Sequence, residues 1–163
     1  MITTEAHNQP IGEVYEVLTK LLIGAKDSVW QSTALSTDGL LRIRPVVERC
    51  AKQVKSYRIL IDGEDAGKKI LGTDYSWLRE NQKFDIRVSK GPSPVGHWII
   101  VDGKNMRLEK PHGKPQGGVE VPRDNLLVID CAPDLAREAQ AVFDGWWSRG
   151  APLAAWAESQ PSR

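Results

Sequence analysis

The sequence predicts an α/β fold in which a mixed β-sheet is flanked by helices on both faces. Two patterns carry that expectation. In the first half, stretches with apolar residues at helical spacing alternate with short apolar runs, the order of strand–helix units. In the second half, four strand-like runs follow one another before a last helix, and two of them flank a hairpin signal. No internal repeat or low-complexity segment breaks the order. The expected organisation is one domain over residues 1–150 and a tail over 151–163.

IGEVYEVLTKLLIGA (11–25) sets Ile11, Val14, Leu18, Leu21 and Ala25 on one helical face, with Asn8 and Pro10 as its start. Residues 29–35 read as a strand. Asp38 can cap a second helix with Leu40, Ile43, Val47, Cys50 and Val54 as its buried stripe. Pro45 interrupts that stripe, so the helix begins nearer Arg44 or kinks there. YRILI (57–61) is a compact apolar strand closed by Asp62-Gly63. Residues 65–81 read as helical, carrying Ile70, Leu71, Trp77 and Leu78. Phe84, Ile86 and Val88 alternate inward along the next strand. Residues 91–94 are a loop, WIIV (98–101) a strand, and Asp102-Gly103-Lys104-Asn105 a hairpin turn into a return strand over 106–108. PHGKPQGG (111–118) reads as a flexible, basic-leaning loop and 126–129 as a buried strand. Pro133 opens the last helix, with Leu135, Ala139, Val142, Phe143 and Trp146 inward, and Gly150 ends it. Residues 151–163 read as a frayed tail, tacked down at Trp156.

A chain of 163 residues can bury a proper core. Its net charge of +1 sets up no global field of the kind that marks an obligate nucleic-acid binder. MITTEAHNQP lacks a signal-peptide pattern, and no apolar run could span a bilayer. A cytoplasmic protein without membrane contact is expected. Cys50 and Cys131 form no metal pattern and are read as inert thiols. Gly63 to Lys69 is a strand-to-helix loop, not a Walker A loop. Arg42, Arg44, Arg49 and Lys52 read as a solvated face, and the six tryptophans as core plus a dimer face.

His97 opens a strand, where an isolated histidine most simply bonds a nearby carbonyl. Its neighbours in the sequence allow more. His112 follows the hairpin, so the two rings can face each other across adjacent strands. Lys110 and Lys114 flank His112, and Asp102 can orient an imidazole. Together they can hold a phosphate, or act on one as nucleophile and general acid. Two histidines and an aspartate at these spacings are a weak metal signal. No metal and no cofactor is expected.

LLIGAKDSVWQSTALS, VVERCAKQVKSYRILID, WLRENQKFDIRVS and DNLLVIDCAPDLAREAQAVFDGWWSRG occur in an order and spacing that resemble the phospholipase D superfamily. The layout is similar to that of a single-domain Nuc-type endonuclease over nearly the whole chain. The family signature is H-x-K-x(4)-D followed by a G-S-x-N-like element. The resemblance implies that histidine attacks phosphorus, that lysine and asparagine hold the phosphate, and that two chains pair to complete a site. Anchored on Asp102, the lysine place falls on His97, the nucleophile place on Val95, and the second element on Glu109-Lys110-Pro111-His112. Sliding by two puts His97 in the histidine place, but Ile99 then replaces the lysine. The motif is degenerate in either register, a state also similar to the sensor domains of archaeal TrmB-type regulators. The chain has no room for a helix-turn-helix domain beside this fold, so it is not expected to be such a regulator by itself.

The resulting expectation is a catalytically degenerate binding module for a phosphate-bearing ligand or nucleic acid, working as a homodimer. His97, Asp102, Lys110, His112 and Lys114 are its expected ligand-binding residues, with His97 and His112 the candidates for any catalysis. The alternatives are an active phosphodiesterase or nuclease with a rebuilt His97/His112/Lys110 site, and a structural adaptor in a protein complex.

Overall fold

Alternation along residues 57–61 sorts the core into two layers. Tyr57, Ile59 and Ile61 enter one apolar cluster and Leu60 enters the other, as side chains of period two must. The computed structural model describes residues 1–90, 95–112 and 123–161. The elements are β1 (Ile2–Ala6), α1 (Ile11–Ile23), β2 (Ser28–Thr33), α2 (Gly39–Arg42), α3 (Arg44–Gln53) and β3 (Ser56–Ile61). Next come α4 (Glu64–Ile70), α5 (Ser76–Arg79), β4 (Phe84–Val88), β5 (His97–Val101) and β6 (Asn105–Glu109). They are followed by β7 (Asn125–Ile129), α6 (Pro133–Arg149), β8 (Ala151–Pro152) and α7 (Leu153–Glu158).

Among the described residues the strands form one sheet in the order β1-β7-β6-β5-β2-β3-β4-β8. β2, β3 and β4 run parallel, linked by helical crossovers, and every other pairing is antiparallel. Strand direction therefore switches between β2 and β5, at the carboxyl end of a parallel strand, where open α/β sheets form ligand crevices. One face packs against α1, α3 and their neighbours, the other against α6. This is the mixed, doubly covered sheet that the sequence predicts.

Pro45 stands at the start of α3, where its missing N–H costs no hydrogen bond. The second helix is accordingly two pieces, α2 and α3, yet Leu40, Ile43, Val47, Cys50 and Val54 are all buried. Asp38 makes no side-chain cap; its carboxylate pairs with Lys69 at 2.8 Å. The helix expected over 65–81 is broken by a 3-10 turn at Thr73–Tyr75. In α6 the buried stripe is Ala136, Ala139, Phe143 and Trp147. Leu135 and Val142, expected inward, are 41% and 44% exposed. Ala136 faces the sheet beside the expected Ala139 and Phe143, because small side chains let the helix approach it closely.

Two strands went unforeseen. β1 is an edge strand paired with β7, and four of its five residues are exposed, so it shows no apolar alternation. β8 pairs with β4 in the segment read as a frayed tail. α7 follows, and Trp156 is buried against Gly67, where an added Cβ would come within 2.6 Å of the indole. No helix among the described residues is long and apolar enough to cross a membrane.

Candidate functional site

Hairpin register brings the polar residues together. Val101 pairs with Asn105, Ile99 with Arg107 and His97 with Glu109. Residues two apart on a strand share a face, so Arg107 and Glu109 join His97 on the α1 side. Ser32 holds the start of β5 in place. Its hydroxyl donates to the Gly96 carbonyl at 2.5 Å and accepts from the Trp98 N–H at 2.8 Å. Gly96 itself leaves no room for a Cβ, which would meet the Glu109 carbonyl oxygen at 2.8 Å.

Each ring nitrogen of His97 faces a carboxylate: Nε2 lies 3.3 Å from Asp62 and Nδ1 lies 3.6 Å from Glu109. Glu109 is almost fully buried and shared three ways. Its Oε1 faces His97 and, at 2.9 Å, His112 Nε2; its Oε2 accepts from Arg107 Nη2 at 2.6 Å. The imidazoles of His97 and His112 stand edge to face, with centroids 5.1 Å apart. Behind them, Gln9 Oε1 accepts from Arg107 Nε and Nη2 and from Asn125 Nδ2 at 2.9–3.2 Å.

Burial alone pushes the His97 imidazole down. The hydrogen bond to Asp62 and the nearby charges of Glu109 and Asp62 outweigh it and lift the group to about 9. Burial likewise raises the Glu109 carboxyl, but the His97 imidazole 3.6 Å away and the Arg107 guanidinium win and hold it at about 2. Burial lowers Arg107, against the attraction of Glu109, and a guanidinium still stays cationic. At neutral pH the His97 imidazolium and the Arg107 guanidinium thus face an ionised Glu109.

His97, Arg107, Glu109 and His112 line a cleft of about 80 Å³, walled by Ile11, Val14 and Leu18 of α1 and by the loop after β2. That volume admits several waters or a small oxyanion.

The residues named from sequence divide. His97 and His112 converge. Asp102 does not reach them: it lies at the other end of β5, roughly 17 Å away at about 3.3 Å per residue. Its carboxylate accepts from the backbone N–H groups of Lys26, Asp27 and Ser28 at 2.6–3.1 Å, tying the α1–β2 loop to the hairpin. Lys110 is exposed and does not line the cleft. Lys114 lies outside the described residues. Val95, which the register anchored on Asp102 aligns with the nucleophile, is buried in the cluster under α6.

Sequence reading left out Asp62, Arg107 and Gln9 as site residues and treated Glu109 only as part of an aligned element. Counting back from the Asp102-Gly103 turn would have set Glu109 opposite His97. Asp62 carried no such signal, because its approach depends on strand order.

The described fold superposes on Nuc from Salmonella typhimurium, a phospholipase D family member, with a TM-score of 0.65 and 14% identity. The match covers 93% of this chain and 98% of that one. The chain has the phospholipase D-like fold. NucT from Helicobacter pylori gives a TM-score of 0.62 at 13% identity over 93% of this chain and 99% of that one. TrmBL2, an archaeal chromatin protein solved with a novel mode of DNA binding, gives 0.67 at 9% identity over 93% of this chain. The chain spans 55% of TrmBL2's length. No family model and no curated protein sequence matches the chain. At these identities the phospholipase D-like likeness is one of fold.

Proposed function

We propose that this phospholipase D-like domain binds a phosphate-bearing ligand, nucleic-acid backbone included, in the His97/His112 cleft without hydrolysing it. One observation carries the reading. Both nitrogens of His97 face carboxylates, so the ring has no lone pair directed at a substrate. An imidazolium in that position attracts an anion and cannot attack phosphorus. Burial of Val95, which the register anchored on Asp102 aligns with the family's nucleophile, supports the same view. TrmBL2, with this fold, is a DNA-binding relative in shape, which favours including nucleic acid. The domain works as a cytoplasmic homodimer in this reading. Two buried, unbridged cysteines suit a reducing compartment.

The test is direct. Chelator-treated protein is incubated with bis(p-nitrophenyl) phosphate and with single-stranded DNA, and binding of inorganic phosphate, a mononucleotide and DNA is titrated in parallel. Expected are no turnover, and binding that weakens with salt and is lost in His112→Ala. Turnover that disappears in His97→Ala overturns the reading in favour of an active phosphodiesterase. No binding of any of the three, with a stable hetero-complex in a pull-down, overturns it in favour of an adaptor. Light scattering at tens of micromolar refutes the homodimer if it gives a monomer mass.

A further inference from the structure

We infer that His97, Glu109 and His112 form a site for a divalent transition-metal ion of the zinc class, with a coordination position left open to the cleft. The inference concerns side chains of the proposed cleft but does not depend on phosphate binding there.

One ligand atom from each residue can be chosen so that all lie within 4.8 Å of one another. Two imidazoles and a carboxylate suit zinc and its first-row neighbours, whereas magnesium and calcium favour all-oxygen shells. Zinc bonds of roughly 2.1 Å to nitrogen and oxygen put tetrahedral ligand atoms about 3.4 Å apart. Glu109 Oε1 lies 2.9 Å from His112 Nε2 and 3.6 Å from His97 Nδ1, on either side of that value. The remaining edge, between the two imidazole nitrogens, is no longer than 4.8 Å.

The outer contacts match as well. Metal-ligating histidines usually donate their other N–H to a carboxylate, which fixes tautomer and ring orientation. Asp62 stands 3.3 Å from His97 Nε2, leaving Nδ1 turned toward Glu109 and His112. Arg107 binds Glu109 Oε2 and so leaves Oε1 on the histidine side. His97 and His112 retain 18% and 14% side-chain exposure, enough for an ion to enter from the cleft. Three protein ligands with an open fourth position are the arrangement of sites that present the metal to a small molecule. The bound dication would then replace the imidazolium as the cleft's positive centre.

The probe is Zn²⁺ alone. The chelator-treated protein is titrated with zinc by calorimetry in phosphate-free buffer. A single ion per chain is expected, with affinity reduced more than about 100-fold in His112→Ala and about 10- to 100-fold in Asp62→Asn. His7→Ala, which alters the histidine outside the cluster, keeps wild-type affinity. A second measurement needs no variant: Co²⁺ added to the wild type should broaden the ring resonances of His97 and His112 before those of His7. Absence of zinc uptake, unchanged affinity in His112→Ala, or broadening at His7 first each overturns the inference. Phosphate binding is measured in chelator-treated protein, so its failure leaves the metal site standing, and failure of zinc binding leaves the phosphate reading standing.

Discussion

Alkaline pH should destabilise this domain through one residue. The perturbation is a rise from pH 6 to pH 9 in chelator-treated protein. His97 faces Asp62 from the end of β3, Glu109 of β6, which is itself paired with Arg107, and the His112 ring after β6. Its folded-state value is raised from 6.5 to about 9. A raised cation contributes stability that is complete below the unfolded value and is lost as pH climbs through the folded one. The window therefore runs from 6.5 to about 9. At about 1.4 kcal/mol per pH unit, the full loss is about 3 kcal/mol. For a chain of this size that is a drop in Tm of about 6–12 °C. Urea unfolding at pH 6, 7.5 and 9, for wild type and His97→Gln, reads it out. The reasoning is refuted if the wild-type urea midpoint is the same at pH 6 and pH 9, or if His97→Gln keeps the same slope. The acid side has the opposite sign. Glu109 is held down from 4.5 to about 2, so its share is present above 4.5 and disappears as pH falls toward 2. His97 and Glu109 are partners, so the two limbs report one shared interaction and are not added.

Other outcomes follow from the same contacts. Asp102→Ala removes the acceptor of three backbone N–H groups and should cost about 2 kcal/mol in urea unfolding. It should leave phosphate affinity unchanged, since Asp102 lies at the far end of β5; weakened binding would return it to the site. Ser32→Ala strands a buried N–H and carbonyl at the start of β5, and thermal melts should show a loss of about 2 kcal/mol. Trp156→Ala should cost about 3–5 kcal/mol by opening a void over Gly67. A loss below about 1 kcal/mol would mean that residues 151–161 are an accessory tail after all.

The sequence by itself determined the layer plan. Periodic apolar residues in 11–25 and 40–54, the compact run at 57–61 and the turn at 102–105 each reflect local physics, so each is legible without the rest of the chain. β1 and β8 were not legible, because an exposed edge strand needs no apolar pattern of its own and exists only where a neighbour offers a ladder. The α6 stripe, right at Ala139 and Phe143, fails at Leu135 and Val142 for a related reason. Large apolar residues at 135 and 142 mark a helical face, but close contact with a sheet selects the alanines beside them. In the cleft, His97 and His112 stood out as two of only three histidines. The identity of their partners was decided by tertiary structure alone. Asp102 is close in sequence yet points its carboxylate at backbone amides across the sheet. Asp62, 35 residues from His97, meets it because β3 and β5 both flank β2 and bring their ends to one edge. A strand carries its residues apart at about 3.3 Å each, so separation along the chain does not measure which charges share a site.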